Sequence, residues 1–263
     1  MLPSEFIRGL LEGDQHCDGT RCLTLFDIAD LTFDRLCAEV DRYLRTHQAS
    51  NVSDTGHATH WARPVGRVEQ YSLLNRSGRS EDFSSDHDLS CRNKWFFDGD
   101  TFPVLAQWIA DWPHLINFRL NVLHPGAALS AHEEHVPFRT KAGGVGARLR
   151  FHLPIRTNGQ AELTLDAQVY QLRPGAVHLV NQGCIHAASN AGSEPRIHFV
   201  WDSLLTAELF AFLFEGTMRP IYLRRIGNIE AVSVRTEPMG PSRRLPSPLT
   251  AHEAKSITFC PPQ

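Results

Sequence analysis

The sequence predicts a mainly β fold with flanking helices, in which the strands form an antiparallel barrel or sandwich. From Leu115 onwards the chain consists of short runs in which apolar and polar residues alternate. Turn-forming pairs separate these runs, at Pro125-Gly126, Asn158-Gly159 and Pro174-Gly175. Short strands with turn signals about every 8–12 residues are typical of antiparallel barrels and sandwiches, and not of βαβ units.

Composition excludes several classes of protein. The 263 residues are 42% hydrophobic and 21% charged, which is ordinary for a globular chain of one large or two small domains. No apolar stretch approaches the roughly 18–20 residues of a membrane span, and no secretory signal pattern is visible at the N-terminus. With a formal charge of −3, the chain has no basic field for nucleic acid or anionic lipid. We therefore expect a cytoplasmic protein with no nucleic-acid partner and no membrane partner.

Residues 1–100 are expected to form a helical and loop region that packs on the core. A helix follows Asp30, because apolar residues recur there at helical spacing. These residues are Phe33, Leu36, Cys37, Val40 and Leu44. The polar stretches from 46 into the 60s and from 75 to 88 predict loops. Phe102–Trp112 predicts a short amphipathic helix that Pro113 ends.

Residues 101–205 are expected to form the β core, and residues 206–263 a C-terminal helix and a Pro/Ser-rich tail, all within one structural domain. The predicted strands are Asn117–Leu123, Arg148–Ile155, Glu162–Leu165, Val169–Leu172, Ala176–Val180 and Arg196–Trp201. The helix is predicted at Ala207–Phe214, and the tail begins at Pro238.

Two of these strands carry charged residues on one face. With a period of two, Arg148, Arg150 and His152 share a face of their strand, as Arg196 and His198 do on theirs. One interpretation is a sheet with one solvated face, which is common in antiparallel sheets. The other is a barrel with a polar interior that holds an anionic ligand. For His198, and for His178 on a third strand, we expect ordinary hydrogen-bonded histidines.

A set of metal-ligand candidates favours the second interpretation. His132 and Glu134 are spaced i, i+2, so they project from the same side of an extended backbone. His186 follows several strands later, where a barrel could bring it opposite. Two histidines and one carboxylate on one face suit non-haem Fe(II) and its oxygen chemistry. His135 is a rival that would meet His132 on a helix, but the following Val136-Pro137 disfavours a helix.

The order of these motifs resembles the aspartyl/asparaginyl β-hydroxylase family and the related bacterial proline and amino-acid hydroxylases. The resemblance covers about residues 100–202. Its elements are Pro125-Gly126, His132 six residues after that glycine, the run Arg148–Leu153, Pro174-Gly175, His186, Arg196 ten residues beyond it, and Asp202 at the end of an apolar strand. It implies a double-stranded β-helix, a cupin-like jelly roll, that uses Fe(II), 2-oxoglutarate and O₂.

The resemblance also implies roles for single residues. His132 and His186 correspond to the iron-binding histidines. Arg196 corresponds to the residue that pairs with the distal carboxylate of 2-oxoglutarate, with Asn121 and His152 as further cosubstrate contacts. Arg150 and Arg148 correspond to positions that face a substrate carboxylate, although Arg148 could instead pair with a surface acid.

Two features depart from the family pattern. Animal members have glycine where this chain has Glu134, which resembles the His-x-Asp/Glu triad of the bacterial hydroxylases. The alternative is that Glu134 lies at the rim and steers a cationic substrate. The second departure is a longer, glycine-rich stretch, Thr140–Ala147, that we interpret as a lid or a substrate loop.

The resemblance implies hydroxylation of an unactivated C–H bond in an amino acid or amino-acid-derived small molecule. Two alternatives stay open: a non-catalytic or isomerase-type cupin that binds a small acid, and a hydroxylase of a peptide- or carrier-bound side chain. For partners, we expect an amino-acid-like small molecule, and we leave a homodimer and a carrier protein open.

Overall fold

The computed structural model describes residues 7, 21–51, 64–83, 96, 98–132, 134, 136–139, 145–216, 219–225 and 235–236. Within these residues the strands form two sheets, and all neighbouring strands are antiparallel. The larger sheet contains, in spatial order, β14 (Leu223–Arg225), β1 (Cys22–Ile28), β11 (Ala176–Val180), β8 (Val145–Arg156), β13 (Arg196–Leu204), β5 (Leu115–Leu123), β4 (Val68–Ser72) and β2 (Ser50–Asn51), and β7 (Pro137–Arg139) pairs with the beginning of β8.

The smaller sheet faces the larger one and carries the candidate metal ligands. Its strands, in spatial order, are β15 (Arg235–Thr236), β10 (Gln168–Tyr170), β9 (Ala161–Leu165), β12 (His186–Asn190), β6 (Ala128–His132) and β3 (Pro64–Val65). Gly126 and Gly175 both have positive φ angles near 70°, which explains why the Pro-Gly pairs form tight turns at these points. The fold is a double-stranded β-helix with flanking helices, so the predicted fold class is confirmed.

The helices cover the outer face of the larger sheet. They are α1 (Asp30–Thr46), α2 (Pro103–Asp111) and α3 (Ala207–Phe210), and a π-helical turn, Ala211–Glu215, continues from α3. The helix predicted after Asp30 is therefore confirmed, and it buries Leu36, Val40 and Tyr43. Among the described residues, no helix is both long and apolar enough to cross a membrane.

The faces of β8 and β13 decide between the two interpretations of their alternating pattern. Leu149, Phe151 and Leu153 point outwards into the core beneath the helices, where the Phe151 ring centroid lies 5.0 Å from that of Trp112. Arg150, His152 and Arg196 lie on the opposite face, are buried, and line the cavity between the sheets. The polar face is therefore enclosed, and is not the solvated side of an open sheet.

The predicted division of the chain differs from the structure in its first hundred residues. That region is not only helix and loop, because β1 and β4 are members of the larger sheet and pair with β11 and β5. The glycine-rich stretch is also shorter than expected. Val145–Ala147 belong to β8, while residues 140–144 lie outside the described residues, as do His135 and the tail from Pro238.

A buried carboxylate joins two of the helices. Glu39 of α1 accepts hydrogen bonds from the backbone N–H groups of Val104 (3.1 Å) and Leu105 (2.8 Å) in the first turn of α2. The residue before α2, Phe102, has no side chain that could cap the helix. Glu39 thus satisfies N–H groups that would otherwise be buried without an acceptor.

We predict that Glu39→Ala lowers the free energy of unfolding by about 1–3 kcal/mol, because it leaves these donors unsatisfied. Urea unfolding measures the change. The matched control is Asp41→Ala on the same helix, which removes an exposed ion pair with Arg156 (2.8 Å) and should cost less than about 1 kcal/mol. Equal effects of the two substitutions would contradict the capping role of Glu39.

Candidate metal centre

His132 and His186 meet across two neighbouring strands of the smaller sheet. His132 is the last residue of β6 and His186 the first of β12, and the antiparallel register places them directly opposite each other. Their ring centroids are 4.1 Å apart. Glu134 follows two residues after His132, and its backbone N–H donates to the carbonyl oxygen of Gln182 (3.1 Å). One ligand atom from each of His132, Glu134 and His186 lies within 4.8 Å of the others.

The hydrogen bonds of both histidines leave the same ring nitrogen available. Nδ1 of His132 lies 2.8 Å from the carbonyl oxygen of Ser130, and Nδ1 of His186 lies 2.9 Å from that of Cys184. Because a carbonyl only accepts, each Nδ1 carries the proton and each Nε2 keeps its lone pair. Burial, and then the neighbouring His132, lowers the pKa of His186 to about 3, and burial lowers the pKa of His132. Both rings are neutral at pH 7, as metal ligands require.

The donor set fits a divalent transition metal. Two imidazole nitrogens and one carboxylate form a facial triad that leaves coordination positions open, and this suits non-haem Fe(II). Oε1 of Glu134 lies 3.9 Å from Nε2 of His132. The backbone carbonyls that hold the rings supply the outer contacts that such ligands have in metalloproteins.

Glu134 is also part of a buried ion-pair network. Arg150 donates from Nη1 to Oε1 of Glu134 (2.7 Å) and from Nη2 to Oε2 (2.8 Å). The same guanidinium donates to Asp202, and Arg148 lies 3.3 Å from Oε2 of Glu134. Burial alone would raise the pKa of Glu134, but Arg150 and then Arg148 outweigh it and hold this pKa well below its usual range. Glu134 is thus ionised, and its side chain is 12% exposed.

The two arginines predicted to face a substrate carboxylate are therefore paired within the chain. Arg150 lies between Glu134 and Asp202, and Arg148 lies near both acids, 3.8 Å from Asp202. Of the two acids that lie near Arg148 here, Asp202 is completely buried and the side chain of Glu134 is 12% exposed, so neither is a surface acid. Sequence spacing could not indicate these partners, because they come from three separate segments of the chain.

Arg196 has a different environment on the same inner face. It is only 3% exposed, and its Nη2 has no hydrogen-bond partner within the described residues. Burial lowers its pKa to about 10, so the guanidinium stays charged at pH 7. Oδ1 of Asn121 and Nδ1 of His152 are likewise buried without partners there. A buried, unpaired cation is costly, and these residues fit a carboxylate ligand that would pair with it.

One cavity connects the two groups of residues. The metal-ligand cluster, Arg196, Asn121, His152 and Arg150 all line the space between the sheets, whereas Arg148 lies just behind it. The structure therefore brings together every site residue predicted from the sequence. Arg148 does not line the cavity itself but contacts Glu134 and Asp202.

Sequence reasoning missed two polar residues of this interior. Gln182 is 1% exposed, lines the cavity, and neither atom of its amide has a partner in the described part of the chain. His198 was expected to be hydrogen-bonded, but neither ring nitrogen has a partner there, and its ring lies edge-on to that of His152 with centroids 6.0 Å apart. His178, by contrast, lies 3.1 Å from Oγ1 of Thr24, as expected. Gln182 lies outside any strand, so no periodicity could have indicated it.

A double-stranded β-helix that encloses two histidines and a carboxylate defines a cupin-type protein, and these three side chains form its candidate metal centre. A family model described as aspartyl/asparaginyl β-hydroxylase matches residues 73–204, which is half of the chain. The chain belongs to that family. This confirms the resemblance seen in the sequence.

Several solved structures share the general fold at low similarity. A viral collagen prolyl hydroxylase from Paramecium bursaria Chlorella virus-1 has 11% identity over 71% of this chain and 97% of its own, with a TM-score of 0.39. SnoN, a non-heme alpha ketoglutarate dependent epimerase from nogalamycin biosynthesis, has 15% identity over 88% of this chain and 94% of its own, with a TM-score of 0.45. A predicted oxalate decarboxylase from Thermotoga maritima has 12% identity over 61% of this chain and 96% of its own, with a TM-score of 0.35. No curated protein sequence matches the chain. Likenesses at this level say nothing about its reaction.

We predict that His132→Ala and His186→Ala each lower the affinity for Fe(II), measured by anaerobic titration calorimetry, at least tenfold while the protein stays folded by circular dichroism. Each substitution removes one of the two nitrogen ligands of the candidate triad. His124→Ala is the control, because His124 pairs with Glu69 (2.9 Å) outside the cluster and should leave the affinity unchanged. Normal Fe(II) affinity in either of the first two variants would show that the metal binds elsewhere.

Proposed function

We propose that this protein is an Fe(II)- and 2-oxoglutarate-dependent dioxygenase that hydroxylates an unactivated C–H bond of an amino acid or amino-acid-derived small molecule. The observation that supports this most strongly is that one cavity holds both the His132–Glu134–His186 cluster and the guanidinium of Arg196, whose Nη2 has no partner among the described residues. Membership of the aspartyl/asparaginyl β-hydroxylase family is consistent with it. With 2-oxoglutarate and O₂, the iron would supply the oxidising power for the C–H bond.

In this proposal the two ends of the cavity hold different groups. His132, His186 and Glu134 hold the metal through two neutral nitrogens and one ionised oxygen. Arg196 pairs with the distal carboxylate of 2-oxoglutarate, for which a planar guanidinium is suited. Asn121 and His152, whose polar atoms are buried without partners among the described residues, are placed to complete its hydrogen bonds. Burial of these groups excludes water and so strengthens each of the polar interactions.

The substrate class rests on the remaining polar surface of the cavity. Gln182 offers an amide donor and an amide acceptor beside the histidine that begins β12. An amide of this kind can hydrogen-bond a polar small molecule such as an amino acid or a derivative of one. Gln70 and Arg119 add further polar groups to the lining.

Release of succinate from 2-oxoglutarate is the direct test of this function. The purified protein with Fe(II), 2-oxoglutarate and O₂ should release succinate faster when the correct member of a panel of amino acids and derivatives is added. Mass analysis should then find one added oxygen in that compound. The His132→Ala protein serves as the inactive control. If no compound stimulates succinate release and no succinate forms above that control, the non-catalytic cupin is the better description.

We also predict that Arg196→Leu weakens 2-oxoglutarate binding strongly, because loss of one partner of a buried charge pair typically costs about 2–5 kcal/mol. Anaerobic calorimetry with Fe(II)-loaded protein measures the dissociation constant. Fe(II) affinity without 2-oxoglutarate should stay within twofold of the wild-type value, since Arg196 belongs to the other end of the cavity. Unchanged 2-oxoglutarate affinity in a folded Arg196→Leu protein would mean that the distal carboxylate binds elsewhere.

A further inference from the structure

The guanidinium of Arg150 is almost completely used by carboxylates of this chain. Its Nε and Nη2 donate to Asp202 at 2.8 and 2.9 Å, and its Nη1 and Nη2 donate to Glu134 at 2.7 and 2.8 Å. These contacts account for four of the five N–H groups that a guanidinium has. Arg150 therefore has no pair of free N–H groups left to bind a substrate carboxylate through two hydrogen bonds.

Asp202 fixes the position of Arg150 on the side of the guanidinium away from Glu134. This aspartate is completely buried in β13, directly opposite Arg150 of β8 on one side and Asn117 of β5 on the other. Asn117 donates from Nδ2 to the Asp202 carboxylate (3.0 Å), and its Oδ1 accepts from the Asp202 backbone N–H (3.0 Å). The backbone of three adjacent strands thus holds Asp202, and Asp202 holds Arg150.

Glu134 is the partner that comes from outside the larger sheet, because it follows β6 of the smaller sheet by two residues. Oε2 of Glu134 accepts hydrogen bonds from both Arg150 and Arg148, whereas Oε1 accepts a hydrogen bond from Arg150 only. A carboxylate oxygen has about two acceptor positions, so Oε1 keeps one for a cation. Oε1 is also the oxygen within 3.9 Å of the His132 Nε2.

Among the described residues, the charges around Arg150 balance without any ligand. Arg148 and Arg150 carry two positive charges, and Glu134 and Asp202 carry two negative ones. A carboxylate on a substrate could use the arginine pair only by displacing Glu134 into a buried environment without its partners. Such displacement would leave an uncompensated buried charge, which is strongly unfavourable.

From these contacts we propose that Arg150, anchored by Asp202, is a positioning residue that holds the Glu134 carboxylate beside His132 and His186, and that it does not bind the substrate. The substrate of the proposed reaction therefore presents no carboxylate to the arginine pair. This inference rests on the metal centre of the proposed function, but it can be tested with a metal alone and without turnover.

Titration with Co(II) tests the positioning role, since the visible absorption of bound Co(II) reports its ligand set and geometry. Arg150→Met should lower Co(II) affinity at least tenfold and change the visible spectrum, because the Glu134 carboxylate loses its support. Arg150→Lys keeps the charge but cannot bridge two carboxylates, so its affinity should lie between those of Arg150→Met and the wild type. Arg156→Met, on the same strand but paired with exposed Asp41, is the control that should change neither quantity. A folded Arg150→Met protein with wild-type Co(II) affinity and spectrum would overturn the proposal.

Rescue with acetate keeps the proposal testable if Arg150→Met does not fold. Glu134→Ala removes an acetate-sized group and leaves Arg148 and Arg150 in place on Asp202. Added acetate should occupy the vacated position and raise the Co(II) affinity of Glu134→Ala at least fivefold, but not that of the wild type or of Glu134→Gln. No gain in Glu134→Ala would contradict the proposal. Absence of succinate in the turnover assay would instead contradict the proposed function and leave these metal titrations valid.

Discussion

Two guanidiniums and two carboxylates neutralise one another inside the barrel, and the geometry of the candidate metal centre rests on this pairing. Removing four charges from water costs far more than their burial between apolar strands could repay, unless each charge has partners at hydrogen-bond distance. Arg150 meets that requirement by binding Asp202 on one side and Glu134 on the other. The pairing joins the larger sheet, which supplies three of the four residues, to the segment after β6, which supplies Glu134. In this way the same contact also fixes Glu134, the candidate third ligand of the cluster.

The same requirement separates supporting residues from ligand-binding residues. Buried polar groups in native proteins nearly always have partners, so a group without one points to a molecule that binds there. Asp202, Arg150 and His178 have their partners within the chain. Arg196 and Gln182, on the inner surface of the same barrel, have polar atoms with none among the described residues. The first set builds the cavity, and the second marks where an anion and a polar substrate would bind.

Local patterns in the sequence predicted an antiparallel barrel or sandwich and the candidate ligands on its strands. Strand alternation put Arg150 and Arg196 on the polar face of their strands, because side-chain direction in a strand depends only on the period of two, but it left open whether that face was solvated or enclosed. His132 and Glu134 shared a face for the same reason. The register that brings His186 opposite His132 joins strands far apart in sequence, so the strand pattern showed only that a barrel could bring the two together, and the family resemblance implied that it does. The pairing of Arg150 with Glu134 and Asp202 could not be predicted at all, since it requires two segments from different sheets to meet. Nor could β1 and β4, short strands that lie among loops and join the sheet only through distant partners.

The proposed function requires that one cavity binds a metal at one end and a dicarboxylate at the other. A crystal structure of the protein grown anaerobically with Mn(II), a redox-quiet substitute for Fe(II), and 2-oxoglutarate tests this most directly. The account predicts metal density on the Nε2 atoms of His132 and His186 and on Oε1 of Glu134, with the distal carboxylate of 2-oxoglutarate against Arg196. Density for the metal on other side chains, or for the distal carboxylate between Arg148 and Arg150 with Arg196 left unpaired, would contradict it.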